Sequence, residues 1–225
     1  MMGQTHRVGG MLCALAGYTY LESKGMLIAD VSPLVQLTIM YPFAIYGSTF
    51  PDLDHNPDSI PSKDIVSVAI NKILHLTSGI REKTGKDLKG PLAIFDAKHR
   101  SWQTHSDLFL LICIVLSYIL IGGDVSTANG IILKLVATGF MLGLVSHMIL
   151  DIITPAGIWC IGATIMSKIT KSKKFPVKIH LVPYSKFFAT GGPWETIIRY
   201  FMWVACMLLM VRIIWGMLPY RIVFH

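Results

Sequence analysis

Two apolar runs dominate the second half of the chain, NGIILKLVATGFMLGLVSHMIL at 129–150 and TIIRYFMWVACMLLMVRIIWGML at 196–218. Each supplies about the 20 helical residues that cross the hydrocarbon core of a bilayer. Lipid offers no hydrogen bonds to a bare backbone, so continuous apolar runs of this length are expected to be helices. Three further runs, at 8–21, 33–50 and 107–122, extend the pattern. The first two read as a helical hairpin in which Pro42 kinks the second arm. The third is slightly short, and GIWCIGATIM at 157–166 is too short to span and reads as re-entrant or interfacial. The expected fold is all-α: an integral membrane helical bundle of about four to five transmembrane helices, forming one unit over residues 1–225. Composition agrees, with 53% hydrophobic and 15% charged residues and a mean hydropathy of +0.57. Cys13, Cys113, Cys160 and Cys206 lie scattered in apolar segments without a CxxC pair, which excludes a zinc ribbon or a disulfide frame.

Charge orients the bundle. If five helices alternate, residues 1–7, 51–106 and 151–195 share one side and hold fifteen Lys and Arg, whereas the other side holds only Lys24 and Arg221. The positive-inside rule then makes the basic side cytoplasmic in a bacterial inner membrane, with the N-terminus on that side. That side includes an insert at about 56–98 and a basic loop at about 167–195, whose KITKSKKFPVK run suits anionic headgroups. The net charge of +7 is read as membrane orientation and lipid contact, and no nucleic acid is expected.

The unusual polar clusters all fall on this same side. They are THR at 5–7, PDLDH at 51–55, HRSWQTHSD at 99–107, SHMILDIITP at 146–155, and GGPWE ending in Glu195. Each lies at the edge of an apolar run, so five segments can converge at one mouth of a bundle, where facing helices build metal sites. His147 and Asp151 are spaced i, i+4 and share a helical face. Asp151 also nears a helix end at Thr154-Pro155, where the dipole repels a carboxylate and a cation would reverse that penalty. A hydrogen-bonded packing pair explains this motif alone about equally well. Asp52, Asp54 and His55 offer two carboxylates and an imidazole to divalent ions, although a solvated turn and helix cap also account for them. His99 and His105 stand about 240° apart on an ideal helix, so they cannot share one face, and Ser106 or Thr104 is suited to cap the helix at 107. Arg7 beside His6, and Arg100 beside His99, set fixed positive charge next to imidazole, which suits a phosphate. Glu195 is explained sufficiently as an acid at a helix N-terminus.

Taken jointly, His6, Asp52, Asp54, His55, His99, His105, His147 and Asp151 form a ligand set for two or more divalent metal ions, zinc first and manganese or iron as alternatives. The motifs TH-R, PD-x-DH, HR-xxx-THS and G-xx-SH-xxx-D-xx-T, with a late Glu, resemble the YdjM-type family of bacterial membrane-bound, predicted metal-dependent hydrolases over nearly the whole chain. A more distant similarity is to the all-helical zinc-dependent phospholipase C group. The resemblance implies a hydrolase that cuts phosphate esters. The expected mechanism has Asp54 or Glu195 as general base and Arg7 or Arg100 clamping the leaving phosphate of a phospholipid or lipid-linked substrate. Two other readings stay open. One is a membrane-anchored regulator with a structural metal and a cytosolic protein partner. The other is a metal-ion carrier, which the almost purely apolar far half of each run disfavours.

Overall fold

The computed structural model describes residues 3–55, 63–76, 103–122, 126–154, 157–170, 178–181 and 191–217. Its elements are α1 (Gly3–Ser23), α2 (Pro33–Gly47), a 3-10 turn (Pro51–Asp54), α3 (Ile65–Leu74), α4 (Asp107–Ile121), α5 (Ala128–Ile153), β1 (Ile158–Trp159), α6 (Ile161–Thr170), β2 (Lys178–Ile179) and α7 (Pro193–Met217). The all-α expectation holds apart from one pair of two-residue strands. By length and apolarity α5 and α7, with 26 and 25 residues, can each cross a membrane. α1 has 21 residues but is less apolar. α2 and α4 have 15 residues each and rise about 22 Å, short of the ~30 Å hydrocarbon core.

Local chemistry sets the helix ends. Ser106 caps α4 by accepting the Phe109 N–H at 3.1 Å, and Thr127 caps α5 by accepting that of Gly130 at 3.1 Å. α5 stops at Ile153 because Thr154 precedes Pro155 and takes the extended conformation that a following proline favours. Pro33 opens α2, where its missing N–H costs nothing, and Pro42 lies inside that helix without ending it.

α1, α2 and α5 pack together, with α7 against α1 and α4 against α5. The α2–α5 contact is made by backbone. A Cβ added at Gly139 would meet the Met40 carbonyl, one at Gly143 the Ala44 carbonyl, and one at Gly47 the Phe140 carbonyl. This is the small-residue mode of close helix packing found in membranes. Leu15, Tyr18, Leu37, Cys206 and Ile213 fill the adjoining core. The outer faces of α4 and α7 are apolar and exposed, through Leu111, Ile112, Val115 and Leu116 on one and Val204, Met207, Leu208 and Val211 on the other. Water rarely tolerates such faces, whereas lipid suits them.

The 157–166 segment, expected to be re-entrant or interfacial, is built as β1 and the start of α6. β1 pairs antiparallel with β2, and Trp159 donates its N–H to the His105 carbonyl at 2.8 Å. Asp107 accepts the Ile161 N–H at 2.8 Å, placing a carboxylate on the N-terminus of α6. These bonds anchor the segment to the start of α4, next to His105.

Candidate metal centre

The close approach of α5 to α2 decides where His147 goes. It lies one turn beyond Gly143, fully buried, and its Nδ1 is 2.7 Å from the Ser48 carbonyl at the end of α2. A carbonyl can only accept, so the ring carries its proton on Nδ1 and turns the Nε2 lone pair inward. One further turn along α5, Asp151 brings Oδ2 to 3.4 Å from that Nε2.

His105, just before α4, is locked in the same sense. Thr104 donates its only hydroxyl proton to Asp54 Oδ2 at 2.6 Å. The Thr104 oxygen must therefore accept from His105 Nδ1 at 2.9 Å, and Asp54 Oδ2 lies 3.2 Å from the same nitrogen. That leaves His105 Nε2 facing the cluster, 3.6 Å from Asp52 Oδ1 and 3.5 Å from Asp151 Oδ2. It is also 3.2 Å from His147 Nε2. Two imidazole lone pairs this close repel unless a cation lies between them. With a proton in that role, burial alone would push His105 down, but hydrogen bonds to Asp52 and Asp54 and the charges of Asp54 and Asp151 lift it to about 9. Burial pushes the Asp52 carboxyl up, yet His147, His105 and His6 outweigh it and hold it well below the usual carboxylate range.

His6 completes the group from α1. Its ring stacks on His147 with centroids 3.8 Å apart, and Nε2 lies 3.6 Å from Asp151 Oδ1. Neither ring nitrogen has a hydrogen-bond partner among the described residues, although the residue is fully buried. A buried polar ring left so is uncommon without an unseen partner such as an ion.

Among the described residues two triads could hold a metal ion: His6, His147 and Asp151, and Asp52, His105 and His147. Separations of 3.2 to 3.9 Å between these atoms suit a tetrahedral shell, in which 2.0–2.1 Å bonds set neighbours about 3.3 Å apart. The donors are imidazole and carboxylate, a mix that divalent ions such as zinc or manganese accept. Both triads use the same His147 nitrogen, so they overlap around one ion, and a second ion would need a bridging carboxylate. The chain also supplies outer partners that orient its ligands, Ser48 for His147 and Asp54 for His105, as metal sites usually require.

The expected site residues thus separate. His6, Asp52, His105, His147 and Asp151 converge. Asp54, expected as ligand or base, lies on the far side of His105 from the facing Nε2 atoms. His55 is half-buried, with Nε2 at 3.9 Å from Asp52 Oδ1, and belongs to neither triad. Glu195 accepts the Thr5 hydroxyl at 2.6 Å and the Gly191 N–H at 2.7 Å, joining α7 to the residue before His6. Arg7 is exposed in an outer groove with Arg199, Tyr200 and Trp203. His99 and Arg100 lie outside the described residues.

Thr5 and Thr104 were missed as site residues, yet a signal existed. The tripeptide Gln-Thr-His occurs twice, at 4–6 and 103–105, and each threonine donates to a distant buried acid. Thr104→Val should free Asp54 and the His105 ring. Metal affinity is then expected to fall by about 10- to 100-fold, the usual effect of losing an outer partner, as read by competition with a fluorescent zinc chelator.

These elements define a helical membrane protein with a buried imidazole–carboxylate centre able to hold a divalent ion. The chain belongs to the YdjM inner membrane protein family, whose model matches residues 1–219. No curated protein and no solved structure matches it, so the expected similarity to phospholipase C is not shown.

Proposed function

We propose that this chain is a multi-pass membrane hydrolase, dependent on divalent metal, that cleaves a phosphate ester of a lipid or lipid-linked substrate on the cytoplasmic side. In this reading α1, α2 and α4 join α5 and α7 across the bilayer, oriented by the basic excess on the side of the cluster. The observation that carries it is the pair of facing His105 and His147 Nε2 atoms, each locked from behind as a cation ligand. His6, Asp52 and Asp151 would complete the donor set, with Asp151 Oδ1 toward His6 and Oδ2 toward His105 and His147. When bound, a divalent cation supplies Lewis acidity and neutralising charge for attack of water on a phosphate ester.

The chain's own groups do the rest. Asp54 and Thr104 hold the proton at His105 Nδ1 and fix the ring, and the Ser48 carbonyl does the same at His147 Nδ1. Glu195 keeps His6 in place through Thr5. A centre at the end of lipid-covered helices favours a substrate that arrives by lateral diffusion.

Elemental mass spectrometry on detergent-purified protein, paired with phosphate release from a panel of lipid phosphates, tests this reading. Wild type should carry at least one zinc, manganese or iron ion per chain, and His147→Ala less than about a tenth of that. A folded wild type that holds no metal and takes up none of the added zinc or manganese would overturn it. A second reading, a membrane-anchored regulator with a structural metal, draws on α3, whose Ile65, Val66 and Ile73 are exposed in the insert. It requires metal without turnover.

A further inference from the structure

We propose that the groove between α2, α4 and α5 is a slot for one fatty acyl chain of the lipid whose phosphate end lies at the cluster; this rests on the hydrolase reading and names its substrate as a lipid bound tail and head together. The groove lies where α4 packs on α5 beside α2, a cavity of about 450 Å³, within the usual size of small-molecule sites. Its walls are almost wholly carbon, with Phe50, Phe109, Cys113, Leu116, Ala137 and Phe140 setting its shape.

Position argues for a lipid over any other apolar ligand. At one end lie Phe50 and Phe109, whose rings stack with centroids 6.2 Å apart. Phe50 precedes Asp52 by two residues and Phe109 follows His105 by four, which ties this end to the centre. From there the lining runs along α4 to Leu120, about 16 Å at 1.5 Å per residue. The slot is therefore parallel to the helices, with one end toward the cluster, which is how a bilayer lipid stands. Exposed Leu111, Ile112 and Leu116 place α4 against lipid, so a tail enters from the side without leaving the bilayer.

The surrounding lipid is as apolar as the groove, so burial of apolar area does not itself draw the tail in. Shape does: the aromatic walls select one chain and hold it in register, so that the head it carries is presented to the same point on each visit. The groove thus acts on positioning more than on affinity.

Reconstitution into phosphatidylethanolamine–phosphatidylglycerol nanodiscs containing a phosphatidate with a diazirine in its acyl chain tests this, with metal measured on the same samples. Photolabel should concentrate on peptides carrying Cys113, Leu116 and Ala137, over the lipid-exposed face of α7. Ala137→Phe, and independently Leu116→Trp at the more tolerant rim, should lower that label at least tenfold at unchanged metal stoichiometry. Label spread evenly over α4 and α7, or indifferent to both variants in metal-loaded protein, overturns the slot and leaves the hydrolase reading standing. A nanodisc particle that holds two chains, with the groove unlabelled, would show that a second copy fills the groove, and overturns it too. Groove label in protein that binds no metal removes the hydrolytic end, and with it the proposal.

Discussion

Asp151→Asn is expected to remove the metal-dependent stability of the protein and its turnover while leaving the metal-free fold intact or more stable. Asp151 touches every imidazole of the centre, with Oδ1 at 3.6 Å from His6 Nε2 and Oδ2 at 3.5 and 3.4 Å from those of His105 and His147. In metal-free protein it adds a third buried carboxylate to Asp52 and Asp54, and taking a charge out of water costs several kcal/mol even where an imidazole faces it. Asparagine keeps the volume and removes the charge. The same change deletes an anionic ligand, so affinity should drop by at least ~100-fold, beyond the effect of losing an outer partner. A ligand at 100 times its dissociation constant stabilises by about 2.7 kcal/mol, and that increment is what the variant loses. Melting midpoints with EDTA and with added zinc would show it: wild type rises with zinc, Asp151→Asn does not, and the variant's EDTA midpoint is no lower than wild type's. A variant that still gains from zinc would remove Asp151 from the centre.

Much of the bundle was legible because helix position follows from apolar run length. Its edges were less so. The run at 33–50 suggested a longer helix, but α2 ends at Gly47, where Ser48 and Thr49 turn their hydroxyls onto the Ile45 and Tyr46 carbonyls. Such local bonds compete with helix propagation and leave no hydropathy signal. α3 lay hidden in an insert of mixed composition, and β1 and β2, at two residues each, exist only through pairing across the intervening chain. At the centre, residue type and the i, i+4 spacing gave His147 and Asp151, and convergence on one side gave His6, Asp52 and His105. The division between ligand and orienting partner was not legible. Asp52 and Asp54 are chemically equivalent in sequence, and only the 3-10 turn, a fold in which they face different nitrogens of His105, tells them apart.

Gly143→Val should cost both fold and metal, unlike Asp151→Asn, which spares the fold. Gly139, Gly143, His147 and Asp151 recur every four residues along one face of α5, so the stripe that docks α2 also carries two ligands. Any side chain at 143 runs into the Ala44 carbonyl and the Ser48 backbone, and no rotamer avoids a backbone atom. The helices must move apart, at about 1–3 kcal/mol for overpacking. The Ser48 carbonyl then withdraws from His147 Nδ1, a bond of 2.7 Å worth about 1 kcal/mol. His147 then loses the partner that fixes its tautomer, and the facing Nε2 pair with His105 opens. The expected result is a lower melting midpoint in EDTA together with metal content below about a tenth of wild type. Gly216→Ala, where an added Cβ meets nothing within 4 Å, should change neither. A Gly143→Val protein that melts lower but keeps full metal would separate the docking of α2 from the centre, and would show that His147 does not depend on Ser48 for its orientation.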